Sequence, residues 1–136
     1  MDIWQLTPWI ELDVVIRLLA AALAGGLIGL ERERAAKPAG LRTHILVGTG
    51  AALFTAVSIY GFPGSIDQSR VAAGIVVGIG FLGAGTIIHR EAGVVGLTTA
   101  ATIWVVAAIG MAMGAGLYLV AGVTALIAYV TLRLPW

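Results

Sequence analysis

The sequence predicts an all-α membrane protein, folded as a compact polytopic bundle of about five transmembrane helices. Of the 136 residues, 60% are hydrophobic and only 11% are charged, whereas a soluble domain has about 25% charged residues. Several apolar runs are long enough to cross a hydrocarbon core of roughly 30 Å. The 19 glycines often recur at a spacing of four, which suits close helix packing in lipid. The length predicts one transmembrane domain, residues 1–136.

The spans are predicted from the apolar runs and the charged or glycine-rich segments between them. They cover approximately residues 14–30, 43–60, 71–88, 97–113 and 117–132. Residues 1–13 hold Trp4 and Trp9 and are predicted to form a short interfacial segment, since tryptophan favours the membrane boundary.

The uncharged run 71–88 is predicted to be the central helix of the bundle. Small residues on more than one face would let other helices surround it. The glycines predicted to pack against neighbouring helices are Gly74, Gly78, Gly80, Gly83 and Gly85.

Several function classes find no support in the sequence. Residues 78–83 fit the G-x-G-x-x-G dinucleotide pattern, but no acidic residue follows Glu91, so the expected structural context is missing. The net charge of +1 gives no basic face for nucleic acid, and there is no cysteine. No catalytic triad or paired carboxylates are visible. We therefore expect neither an enzyme nor a bound cofactor.

Charged and polar residues at the span ends are the candidate functional residues. A charge beside lipid usually meets a partner or a wet cavity, so we predict that Glu31 pairs with Arg42 or Arg90. The alternative is that all these charges lie in water. The predicted polar cluster at this end consists of Glu31, Arg42, Thr43, Arg90, Thr98 and Thr99.

For three other polar residues, a structural role stands beside a functional one. His44 can titrate near neutral pH, but a structural role is favoured for it. At the opposite end, Asp67 can cap the helix that follows or pair with Arg70.

The lysines and arginines divide unequally between the two sides of a five-span protein. One side would hold Arg17 and Arg70, and Trp4, Trp9, Tyr60 and Tyr118 would form an aromatic belt there. The other side would hold Arg32, Arg34, Lys37, Arg42, Arg90 and Arg133. The more basic side is expected to be cytoplasmic, with the N-terminus outside.

Several separate blocks resemble the MgtC/SapB family of bacterial inner-membrane proteins. They are GLERE at 29–33, KPAGLRTH at 37–44, GAALF at 50–54, Asp67 with RVAA at 70–73, GIGFLGAG at 78–85 and GLTTAATIW at 96–104. The resemblance implies a role in magnesium homeostasis and adaptation to low magnesium, with a link to virulence in some pathogens. It also implies a regulator that binds a membrane partner such as the ATP synthase.

Departures from the family pattern bear on function. Gly74 and Val77 stand where family members often carry polar residues, which weakens a conduction pathway. The chain ends at Trp136, so we expect no C-terminal soluble domain. The alternative function is a small transporter or channel for Mg²⁺ or another polar solute, and any metal ligands are undetermined. The small residues also favour a homo-oligomer, most simply a dimer.

The charge distribution predicts the orientation of both termini. Alkaline phosphatase fused after Trp136 should be inactive, whereas a fluorescent protein fused there should fluoresce, because that end is cytoplasmic. Reporters placed before Asp2 should show the opposite pattern. A C-terminal phosphatase active in the periplasm would reverse the assignment.

Overall fold

The computed structural model describes residues 3–62, 64 and 67–135, with side chains from Thr7 onward. It confirms an all-α membrane bundle. The helices are α1 (Ile3–Arg34), α2 (Leu41–Tyr60), α3 (Ser69–Ala84), α4 (Leu97–Gly114) and α5 (Tyr118–Leu132). Between α3 and α4 lies a short antiparallel hairpin of β1 (Ile88–Arg90) and β2 (Gly93–Val95). The side chain of Trp4 lies outside the described residues.

The helices differ in their capacity to cross a membrane. Among the described residues, α1, α2 and α4 are long and apolar enough to span one, while α3 and α5 are shorter apolar helices. With 16 and 15 residues, these two extend about 24 and 22 Å. The predicted interfacial segment 1–13 is not separate from the first span, because α1 continues unbroken from Ile3.

The third predicted span is shorter than expected. Helix α3 ends at Ala84 rather than continuing to residue 88. Gly83 and Gly85 weaken the helix end, and the β-branched Thr86 and the isoleucines after it favour extended structure. Hairpin pairing joins Ile88 to Val95 and Arg90 to Gly93.

A glycine turn connects the hairpin to α4. Gly96 has φ +97°, and a Cβ there would collide with the carbonyl group of Thr86. Only glycine fits this combination of backbone angle and close approach.

The central helix of the chain is α4, and the prediction that α3 occupies this position is wrong. Helix α4 packs against all four other helices, whereas α3 packs mainly against α4 and to a smaller extent against α2. Among the described residues, no atom lies within 4 Å of a Cβ built at Gly74, Gly78 or Gly80. Gly83 does face Ala100 of α4, at 3.6 Å, and Gly85 lies in the turn after α3.

Helices α1, α2 and α4 form the core through backbone contacts at glycines. A Cβ at Gly29 would lie 2.9 Å from the Cα of Leu41, and one at Gly48 would lie 3.0 Å from the carbonyl oxygen of Ala21. A Cβ at Gly110 would collide with the Gly48 carbonyl. These contacts show that α2 runs antiparallel to α1 and parallel to α4. The buried side chains between them are small, including Ala21, Ala24, Ala51, Ala52, Val106 and Ala107.

The packing gathers the basic residues as the sequence predicted. The C-terminal ends of α1, α3 and α5 lie at the same end of the bundle as the N-terminal ends of α2 and α4. We call this the basic end. The opposite end carries Arg17 and Arg70.

The glycine contacts predict a difference between two matched substitutions. Gly110→Ala should lower the free energy of unfolding by about 1–3 kcal/mol, the usual cost of overpacking a tight core. Gly78→Ala should leave it unchanged or slightly raised, since open space surrounds that position. Denaturant unfolding in detergent measures both. Equal destabilisation would show that the α2–α4 contact is not as close as described.

Candidate functional site

The turn between α1 and α2 holds the charged residues of the basic end in place. The Lys37 N–H donates to the Arg32 carbonyl and the Ala36 N–H to the Glu33 carbonyl, both at 3.0 Å. Ala36 adopts φ +55°, and Pro38 follows two residues later. This is the Schellman arrangement that ends a helix. It fixes the last turn of α1 against the start of α2.

A buried ion pair lies on that last turn. Arg32 Nε donates to Glu31 Oε2 at 2.7 Å, and Arg32 Nη2 donates to Oε1 at 3.4 Å. The two side chains are only 4% and 9% exposed. Arg32 Nη1 is buried with no hydrogen-bond partner among the described residues.

The partner predicted for Glu31 is therefore wrong. Its ion pair is with Arg32, while Arg42 and Arg90 are exposed at the surface. Arg32 is adjacent to Glu31 in sequence, and its side chain is buried between the helices. Arg42 lies at the start of α2 and Arg90 at the end of β1, and both are exposed. The burial expected for Glu31 does occur.

His44 is fully buried one turn into α2. Its Nδ1 lies 2.8 Å from the Gly40 carbonyl oxygen, which can only accept, so Nδ1 carries a hydrogen. In the neutral ring, Nε2 is then an acceptor, and it has no partner among the described residues. The ring also interacts electrostatically with Arg32. The absence of a side chain on Gly29 lets His44 approach α1 this closely.

Two buried threonines of α4 lie at the same end of the bundle. Thr102 donates to the Thr98 carbonyl at 2.6 Å, and Thr99 is 3% exposed. We define the inner polar layer as Glu31, Arg32, His44, Thr99 and Thr102. It offers a guanidinium donor and an imidazole nitrogen that have no partner in the described part of the chain. Such groups are costly to leave unpaired in a buried region.

The structure therefore separates the predicted polar cluster into two groups. Glu31 and Thr99 belong to the buried inner layer. The exposed members are Arg42, Thr43, Arg90 and Thr98.

A second polar site joins three helices at the opposite end. Arg17 pairs with Asp13 at 2.5 Å and donates to the Gly114 carbonyl at 2.8 Å and to the Tyr60 hydroxyl at 3.0 Å. Its guanidinium also lies 5.6 Å from the centre of the Tyr60 ring, within cation–π range. The side chain is only 12% exposed. Instead of extending into water, Arg17 ties α1 to the ends of α2 and α4.

Asp67 organises the start of α3. It accepts a hydrogen bond from the Ser69 N–H at 3.0 Å and another from the Ser69 hydroxyl at 2.5 Å. The N-cap residue of α3 is Gln68, which makes no side-chain cap hydrogen bond, so Asp67 forms a local turn just before the helix and is not its N-cap. Within the described part of the chain, no ion pair joins Asp67 to Arg70. In the same part, no group of three or more His, Asp or Glu side chains is placed to hold a metal ion.

Arg32 was missed although the sequence contains a signal for it. It continues the face of α1 that carries Ala21, Gly25 and Ile28, at helical spacing. That face packs against α2 and α4. Because Arg32 lies on this packed face, it is a better candidate partner for Glu31 than Arg42, which lies at the start of the next span.

Comparison with known proteins identifies the family. The model of the MgtC family matches residues 18–135, which is most of the chain. The chain belongs to the MgtC family.

Its relatives include proteins from several bacteria. The "putative magnesium transporter YhiD" of Escherichia coli K12 is 54% identical over 113 residues, covering 78% of this chain and 53% of that protein. MgtC of Salmonella typhimurium 14028s is 52% identical over 75% of this chain and 43% of its own length. SapB of Bacillus subtilis is 41% identical over 96% of this chain and 60% of its own length. No solved structure matches the chain.

Partial coverage limits the transfer of function from these relatives. The chain spans about half the length of the first relatives that it matches. The matched region nevertheless includes the whole inner polar layer. The family block KPAGLRTH, residues 37–44, forms the turn and first helical residues that support this layer.

The buried ion pair predicts unequal effects of two arginine substitutions. Arg32→Ala leaves the Glu31 carboxylate buried without its partner and should lower the free energy of unfolding by about 3–5 kcal/mol. Arg42→Ala, the matched control at an exposed position, should change it by less than about 0.5 kcal/mol. Thermal unfolding in detergent distinguishes these outcomes. If both variants unfold like the parent protein, the pair is solvated.

Proposed function

We propose that this protein is a regulatory membrane protein in magnesium homeostasis and low-magnesium adaptation, and that it acts by binding another membrane protein. The link to magnesium rests on membership of the MgtC family and on the name of YhiD. The mode of action rests on a groove in the surface of the bundle.

This groove lies between α2 and α3 and supports the proposal most directly. Its volume is about 620 Å³, and its lining is apolar. Gly50, Gly74 and Gly78 line it, and open space surrounds the Cβ position of each. Small residues allow transmembrane helices to approach backbone to backbone. A transmembrane helix of a partner protein fits these requirements.

The interior of the bundle favours binding over conduction. The segments 18–30, 45–59 and 97–114, which form most of the core, contain no charged residue. Backbone contacts at Gly48 and Gly110 close the space between α1, α2 and α4. The charged groups are concentrated at the two ends.

The ATP synthase is the partner that the family resemblance suggests. Purified ATP synthase can be placed in liposomes with or without this protein, and ATP-driven proton uptake followed with a pH-sensitive dye. We expect the protein to change the rate of uptake. Gly78→Leu fills the groove and should weaken binding. The concentration of this variant required for the same effect should therefore be about tenfold higher or more.

Gly80→Leu is the matched control. Gly80 is also exposed and uncovered, but it does not line the groove. This variant should act like the parent protein. No change in proton uptake with the parent protein would exclude the ATP synthase as partner. Equal effects of both leucine variants would exclude the groove as the binding surface.

A transporter is the second candidate, and the name of YhiD is the observation that favours it. Liposomes containing this protein alone and a magnesium-sensitive dye test this function. Robust Mg²⁺ flux, lost in a His44→Ala variant that remains folded, would favour transport over regulation. Background flux would favour the regulator.

A further inference from the structure

A second groove, between α1 and α5, differs from the first in being charged at one end. Its volume is about 740 Å³. The walls are built from Leu23, Leu27 and Leu126, all well exposed, and Gly122 leaves open space on the α5 side. The groove is thus apolar along most of its length and opens sideways from the bundle.

The charged end of this groove carries a surplus of positive charge. Glu31, Arg34 and Arg133 line it. The Glu31 carboxylate is already held by Arg32, whose charge it balances. Arg34 and Arg133 are exposed and form no ion pair among the described residues. Arg133 lies 6.0 Å from the centre of the Tyr129 ring, which also lines the groove.

We infer that the α1–α5 groove is a binding site for an anionic phospholipid. An acyl chain would lie along the leucine walls, and the phosphate would meet Arg34 and Arg133. Basic pockets between helices at the cytoplasmic side of membrane proteins bind anionic headgroups in this way, and guanidinium groups suit phosphate geometry. A second protein helix would cover the apolar walls but would leave two arginines to be matched by acidic residues.

The charge complementarity can be measured with lipids that share their acyl chains. The protein is purified in detergent, and native mass spectrometry compares the retention of phosphatidylglycerol and phosphatidylcholine. The parent protein should prefer phosphatidylglycerol. Two arginines near a surface each strengthen the attraction, so the preference should be about thirtyfold. The double variant Arg34→Gln/Arg133→Gln should bind both lipids nearly equally.

Two further variants separate the groove from the general charge of the basic end. Arg42→Gln/Arg90→Gln removes the same charge at exposed positions outside the groove and should retain the preference. Gly122→Leu fills the groove and should reduce retention of both lipids.

Three outcomes would overturn the inference. The first is equal retention of the two lipids by the parent protein, and the second is equal loss of preference in both arginine double variants. The third is a concentration-dependent dimer that Gly122→Leu abolishes without changing lipid retention, because the groove would then be a protein interface.

Discussion

Close backbone contact among α1, α2 and α4 is the constraint on which the rest of the structure depends. In lipid, helices gain little from the hydrophobic effect by associating, so van der Waals contact has to hold them together. Gly29, Gly48 and Gly110 provide it, because each places helix backbone where a Cβ would crowd the neighbouring helix. Carbonyl groups facing Cα hydrogens at such crossings add weak hydrogen bonds. The small residues are therefore the structural core of the protein.

This close packing determines where charged groups can be accommodated. The middle of the bundle has no room for them, and the buried Arg32 and the largely buried Arg17 lie at its two ends. Arg17 satisfies its charge with Asp13 and joins α1 to α2 and α4. Arg32 satisfies its charge with Glu31 beside the buried His44. Burying a charge in a membrane protein is costly without a partner. The hydrogen bonds from Arg17 to Gly114 and Tyr60 also fix the register of α1 against α4 and α2.

The two shorter helices produce the surfaces available for function. Helices α3 and α5 pack at the periphery of the three-helix core, and each leaves an apolar groove beside a core helix. The α2–α3 groove is lined by uncovered glycines and suits a partner helix. The α1–α5 groove ends at Arg34 and Arg133 and suits an anionic amphiphile. The difference in charge between the grooves is the reason for proposing different occupants for them.

The sequence alone determined the membrane class, the approximate spans, the family and the gathering of basic residues at one end. These features depend on local hydropathy and on the order of residues. It also placed Glu31 in a buried setting, but it assigned the wrong arginine as its partner and the wrong helix to the centre. Helical spacing shows that Gly74 and Gly78 share a face, as do Gly25 and Arg32, but it does not show which faces meet. Only the tertiary structure decided that the Gly25 face packs inside the bundle and the Gly74 face remains open, because that choice depends on contacts between distant segments.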